Sequence, residues 1–269
     1  MDTTSPAAVT AAGGVADVDL RELLTVERLE ENLFRSTTVV DEDFTLYGGQ
    51  VAAQAVQAAG ATVDAGRAPH SLHGYFLRPG DPKQRVVFTV DRDRDGRSFS
   101  ARRVVAVQHG EVIFNMAASF HVGRETSVSQ ADAMPDVAAP EACPPHDLLR
   151  LCSYESRLPE QPYERAEWPT RFWARTTVPV PEDPLAQASV VTYLSDISTG
   201  VLPSEDGPER PGASVDHAVW FHAPADPNQW LLSDYQPRVV GNGRGWYSGS
   251  VFSASGRLVA SIAQEVLFR

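Results

Sequence analysis

Gln264 is the residue whose type fits its surroundings least. It lies in the terminal stretch RLVASIAQEVLFR, whose alternation reads as a β-strand. Residues two apart in a strand share a face. Leu258, Ala260, Ile262, Gln264, Val266 and Phe268 therefore form one face, five apolar side chains and one amide. A buried amide must find hydrogen-bond partners or it costs roughly 1–3 kcal/mol. It is either a structural glutamine bonded to backbone or a group that holds a water or polarises a carbonyl. Asp196 is the second candidate. It falls late in a stretch expected to be helical, where the negative end of the helix dipole disfavours a carboxylate and pushes its pKa upward. A raised pKa suits a general base. An exposed aspartate in a C-terminal turn is the alternative.

Other chemistries fit less well. Ser248-Gly249-Ser250 sits at a turn among strands, not before a helix, so it is no nucleophile elbow, and no matching triad stands out. His70 and His73, or His217 and His222, suggest a metal only weakly. They fall on expected strands with wrong or uncertain facing and have no obvious third ligand. No metal is expected, and His217 and His222, flanking an aromatic strand, read as packed or interfacial. Arg92, Arg94, Arg97, Arg102 and Arg103 form a basic cluster. It is either a solvated strand face balanced by Asp91, Asp93 and Asp95 or a contact for phosphates.

Composition narrows the field. Hydrophobic residues make up 42% and charged residues 22% of the 269, which predicts a folded core in one large or two smaller domains. The net charge of −12 leaves no electrostatic footprint for nucleic acid and does not suit an anionic membrane. No apolar run approaches the roughly 18 residues of a membrane span. Cys143 and Cys152 make neither a disulfide framework nor a zinc site, so a reducing cytoplasm is expected. Residues 1–17 lack the basic start and apolar middle of a signal peptide and read as a disordered tail. The final Leu267-Phe268-Arg269 is not the peroxisomal tripeptide address.

The positioning elements follow from periodicity. Asp19 to Phe34 reads as a short amphipathic helix. After Gly48-Gly49-Gln50, Val51, Ala52, Ala55, Val56 and Ala59 make a helix face of small residues, which a sheet can embrace closely. From residue 71 to 122, alternating Val- and Phe-rich segments are separated by Pro79-Gly80-Asp81, Asp95-Gly96 and His109-Gly110, predicting antiparallel strands. Residues 125–165 read as a linker with one short helix around His146–Leu151. Asp183-Pro184 then starts a helix running to Gly200, and strands return after Pro211.

Helix followed by sheet thus occurs twice. Phe76, Pro79, Asp81, Pro82 and Gln84 have identical partners 145 positions later at Phe221, Pro224, Asp226, Pro227 and Gln229. Tyr75 pairs with Trp220 at the same offset, and Gly110, Val112 and Ile113 meet Gly256, Leu258 and Val259 at 146. The chain reads as a duplication.

Three segments carry a family likeness: Tyr47-Gly48-Gly49-Gln50-Val51, His73 to Asp81 (HGYFLRPGD) and Asp95 to Arg103 (DGRSFSARR). Together they resemble the N-terminal half of type II acyl-CoA thioesterases. Asp216 to His222 (DHAVWFH) and Gln264-Glu265 resemble the C-terminal half. The likeness runs from about Leu24 to Arg269. It implies an α+β double hotdog, two fused units each with a helix wrapped by an antiparallel sheet. The units are placed at 18–124 and 166–269, joined by the linker 125–165. It also implies hydrolysis of fatty acyl-CoA without metal or organic cofactor, and a homo-oligomer, since hotdog units pair through their sheets. The family positions its attacking water with an Asp, a Ser or Thr, and a Gln. These fall here on Asp196, Ser214 and Gln264. Ser214 alone, at the start of a strand, would read as bonding local backbone.

The duplication adds an argument. In the first copy Gln264 corresponds to Ala118 and Ser214 to Pro69, and no carboxylate lies between Val51 and Val63 where Asp196 would map. One site per chain is expected, built mainly by the second copy. Two alternatives remain: an acyl-CoA-binding protein that does not cleave its ligand, and a hotdog hydratase. The hydratase is disfavoured because it leans on a His with a carboxylate, and no His belongs to the matched polar set.

Overall fold

The computed structural model describes residues 9–11, 18–123, 129–148, 150–166, 168–197, 200–202 and 211–268. Of the expected tail, only β1 (Val9–Ala11) lies within them, paired in parallel with β4. The elements then run α1 (Leu20–Leu24), β2 (Val26–Glu30), β3 (Leu33–Ser36), β4 (Thr38–Val40), α2 (Gly48–Gly60), β5 (Arg67–Phe76), β6 (Val87–Asp95), β7 (Phe99–Gln108) and β8 (Glu111–Val122). The second half has β9 (Tyr154–Arg157), β10 (Arg171–Thr176), α3 (Pro184–Ser195), β11 (Pro211–Ser214), β12 (Asp216–Phe221), β13 (Leu231–Gly241), β14 (Arg244–Ser253) and β15 (Leu258–Phe268). Among the described residues, no helix is long and apolar enough to cross a membrane.

One large sheet carries almost all the strands. Its order is β2-β3-β6-β7-β8-β5-β12-β15-β14-β13-β10-β9, with β11 added beside β15. The order is a palindrome: each strand left of the β5–β12 seam has its counterpart at the same distance to the right. Residue-level bonds repeat as well. Lys83 N–H bonds the Asp81 carboxylate and Gln84 N–H the Asp81 carbonyl. Asn228 and Gln229 do the same to Asp226, 145 positions on. Leu77 and Arg78 both donate to Ile113 O, and His222 and Ala223 both donate to Val259 O. The offsets read from the sequence recur as hydrogen bonds, so the fold is the expected double hotdog.

The two long helices pack antiparallel against each other. At one end Tyr47, N-cap of α2, donates its hydroxyl to Tyr193 O at 2.8 Å. At the other, a Cβ on Gly60 would lie 2.3 Å from Leu185. The small face of α2 is completely buried at Ala52, Ala55 and Ala59. Apolar residues of both units form one cluster, from Phe34 and Phe88 through Leu194 to Val259 and Phe268.

Three expectations need correction. The helix from Asp19 covers only Leu20–Leu24, capped by the Asp19 carboxylate on Arg21 N–H. Thr25 and Val26 are β-branched and favour extension, and β2 and β3 make a hairpin whose alternating charges suit an outer strand. Around 146–151 no helix forms among the described residues: Pro145 bridges to Arg157, and Arg150 has φ 72°. The second helix stops at Ser195, not Gly200, with Asp196 as its C-cap.

The basic cluster behaves largely as a balanced strand face. Arg103 pairs with Asp91 and Asp93, and Arg92 with Glu31. Arg102 is instead buried, donating to Thr62 Oγ1 at 2.8 Å, Thr62 O at 3.0 Å and Asp95 at 2.8 Å. Asp95 is half exposed and keeps the Ser100 hydroxyl, so loss of Arg102 strands chiefly the buried Thr62 groups. Arg102→Ala is expected to lower the unfolding free energy by roughly 1–3 kcal/mol. Urea titration checks this, and a change under 1 kcal/mol would contradict the assignment.

Candidate active site

The end of α3 and the start of α2 meet without an intervening side chain. A Cβ on Gly48 would fall 2.4 Å from Asp196 Oδ2, and one on Gly49 would fall 2.6 Å from Tyr193 O. Only glycine lets the backbone approach this closely. Asp196 therefore sits just past the negative end of its own helix and against the positive end of the neighbouring one. The Gly49 N–H bonds its carboxylate.

Asp196, Ser214 and Gln264 come together as expected. Gln264 Nε2 donates to Asp196 Oδ1 at 2.7 Å and to Ser214 Oγ at 2.6 Å. Ser214 Oγ donates to Asp196 Oδ1 at 3.1 Å. The amide is completely buried on the inner face of β15, as the alternation required. Among the described residues its partners are the side chains of Asp196, Ser214 and His217. Asp196 is 3% exposed. Burial pushes its carboxyl up to about 7, against the opposing hydrogen bonds from Gln264 and Ser214, the nearby Arg150 charge and the Gly49 amide.

Ser214 reaches the site through a strand irregularity. Ser214 lies opposite Val266, while Ala218 lies opposite Ala263, so the register slips by one residue between them. Val215 N–H bonds Glu265 O, and Glu265 N–H turns to the Asp216 side chain at 2.8 Å. An even ladder would put residues 214 and 217 on opposite faces. The extra residue lets both point inward.

That irregularity brings in a residue the sequence reading set aside. His217 is completely buried, with Nδ1 2.5 Å from Gln264 Oε1 and Nε2 2.7 Å from Ser195 Oγ. Burial lowers its pKa to about 4, so the ring is neutral. The other histidines go elsewhere: His73 to Asp216, His70 to Ser119 and His222 to Ser261. Among the described residues, no group of three or more His, Cys, Asp or Glu is placed to hold a metal. Arg150 was also missed. It crosses from the segment before β9 to lie 5.7 Å from the Tyr47 ring centroid, close enough to Asp196 to act on its charge.

A buried carboxyl bonded to a hydroxyl and an amide lies at the seam between two fused helix-and-sheet units of a double hotdog. Family profiles described as acyl-CoA thioesterase N-terminal and C-terminal domains match residues 39–121 and 128–268. Acyl-CoA thioesterase 2 of Haemophilus influenzae is 34% identical, over 93% of this chain and 97% of that one. Human acyl-coenzyme A thioesterase 8 is 32% identical, over 96% and 91%. Among solved structures, an acyl-CoA thioesterase II TesB2 from Mycobacterium marinum is 37% identical with TM-score 0.77, over 93% and 96%. A tesB protein from Mycobacterium avium subs paratuberculosis is 34% identical with TM-score 0.82, over 93% and 100%. This chain belongs to the acyl-CoA thioesterase family.

The raised Asp196 pKa has a stability consequence. The unfolded carboxyl titrates near 3.8 and the folded one near 7, so the folded state holds its proton longer. Stability therefore falls as pH rises from about 4 to 7, by roughly 4 kcal/mol in all. Asp196→Asn removes that charge while keeping an acceptor oxygen. It is expected to be more stable than the native protein at pH 8 by roughly 2–4 kcal/mol, with the gain gone at pH 4. Denaturant titrations at the two pH values check this, and a loss at pH 8 would count against the buried carboxylate.

Proposed function

We propose that this chain hydrolyses fatty acyl-CoA to a free fatty acid and CoA, with Asp196, Ser214 and Gln264 handling the attacking water. The observation that carries the reading is the convergence of Ser214 and Gln264 on the Asp196 carboxyl, whose pKa lies near 7. Ionised Asp196 takes a proton from a water held with Ser214 and Gln264. The water oxygen bonds the thioester carbonyl carbon, and negative charge develops on the carbonyl oxygen. The positive start of α2 is suited to that charge. The C–S bond then breaks, and the Asp196 proton passes to the departing thiolate. A hydratase is not favoured, because the Gln264 amide separates His217 from the Asp196 carboxyl.

The site would draw its reacting groups from the unit at 166–269, with the unit at 18–124 supplying the helix start and serving otherwise as scaffold. Tyr75 and Trp220 are nearly half exposed, and Trp246 is 39% exposed. They support a homo-oligomer paired through the sheet, which light scattering would refute by giving the mass of a single chain.

Thiol release from short-, medium- and long-chain acyl-CoAs tests the activity. The native protein is expected to release thiol with a rate that rises with pH and is half-maximal near pH 7, where Asp196 ionises. Asp196→Asn is expected to lose roughly 10²–10⁴ in rate. No release from any chain length would overturn the hydrolase reading, and near-normal turnover by the folded variant would overturn the base assignment.

A further inference from the structure

Counting hydrogens around Gln264 assigns a direction to the whole cluster. Its amide nitrogen donates to Asp196 Oδ1 and to Ser214 Oγ. The Ser214 hydroxyl hydrogen goes to Asp196 Oδ1. With Asp196 ionised, as the reaction needs, rotating the amide by half a turn would set its carbonyl oxygen against a carboxylate oxygen at 2.7 Å, two acceptors facing each other. The amide nitrogen must therefore face Asp196, and Oε1 must face His217 Nδ1. Nδ1 consequently carries a hydrogen. In a neutral ring Nε2 is then an acceptor, and its neighbour at 2.7 Å is the Ser195 hydroxyl. Ser195 also lies 3.0 Å from Thr192 O, so its single hydrogen chooses between the two. The Nδ1–H ring requires it to go to His217.

We infer that His217 is a positioning residue for the hydrolysis: its Nδ1–H holds the Gln264 carbonyl oxygen, so that the amide always presents its hydrogens to Asp196 and Ser214. The inference rests on the reading of those three residues as the reacting site. Donation runs one way, from Ser195 hydroxyl to His217 to Gln264 to Asp196. Ser195 and Asp196 are adjacent at the end of α3, so the loop of bonds leaves and returns to the same helix terminus. His217 lies one step along the ladder from the Ala218–Ala263 pair, which sets it opposite Gln264. The reacting amide is thereby fixed by a cross-strand neighbour as well as by the groups it serves.

Without the imidazole, Gln264 Oε1 loses this donor and the amide gains freedom to turn its oxygen toward Asp196. The charged carboxylate would then lose one of the hydrogen bonds that hold its pKa down. The other groups acting on Asp196 would stay: Arg150, the Gly49 amide and the Tyr47, Tyr235 and Tyr247 hydroxyls. Asp216 and His73 face His217 itself. The acid limb of the rate profile should therefore move to higher pH, an effect that mere loss of folded protein would not produce.

His217→Leu keeps the bulk without the donor. His217→Asn places an amide N–H close to the imidazole Nδ1. The Leu variant is expected to lose tenfold or more in kcat with KM within twofold, and its acid limb should shift upward by half a pH unit or more. The Asn variant should recover most of the rate and the native limb. An unchanged limb in the Leu variant, or no recovery by Asn, would overturn the inference. Imidazole nitrogen NMR of the native protein decides independently of variant folding and of activity. A neutral Nδ1–H ring is expected at pH 8, where Asp196 is ionised, and an Nε2–H ring there would overturn the assignment even in an active thioesterase.

Discussion

The start of α2 touches the end of α3 through bare backbone, and the site depends on that contact. Gly48 and Gly49 remove the side chains that would keep the helices apart. The contact buries Asp196, and burial is the largest influence on its carboxyl. The opposing influences are led by the hydrogen bonds from Gln264 and Ser214, with the Arg150 charge and the Gly49 amide at the start of α2 after them. Burial alone would push the carboxyl higher still, and solvent exposure would leave it a weak base. The antiparallel pairing of the helices places it between those limits.

Much of this architecture was legible in the sequence. β5 to β8 and β12 to β15 follow alternation and turn residues directly. His109 and Gly110 both adopt positive φ, 51° and 78°, in the hairpin their types predicted. The duplication was visible because turn residues such as Asp81 and Asp226 make local side-chain bonds, and so resist replacement by other types. Gln264 was legible because an amide on an apolar face has to be bonded. The Val26–Glu30 segment was misread because its few apolar residues satisfy a helical period as well as an alternating one. Strand β9 was missed because four residues inside a proline-rich stretch give too little period to detect.

His217 was illegible for a different reason. Strand logic separates residues 214 and 217, and only a one-residue slip beside Val215 puts both on Gln264. The slip is stabilised by Asp216, whose carboxylate takes the Glu265 N–H that an even ladder would have given to backbone. Such an irregularity depends on a partner strand about 50 residues away. Local pattern carries no trace of it, so a buried histidine beside the site looked like packing.

The palindromic strand order has a further consequence. β5 and β12 are equivalent strands pairing antiparallel, so the seam is a pseudo-twofold axis. A lone unit of this kind could complete the same sheet only against a copy of itself, and symmetry would then impose two identical sites. Joining the copies in one chain lifts that obligation. Ala118 and Pro69 stand where the second glutamine and hydroxyl would be, so one of the two mirror locations lacks the residues proposed to react. Covalent fusion thus permits each half to specialise, one toward reactivity and the other toward rigidity, without either having to satisfy both demands.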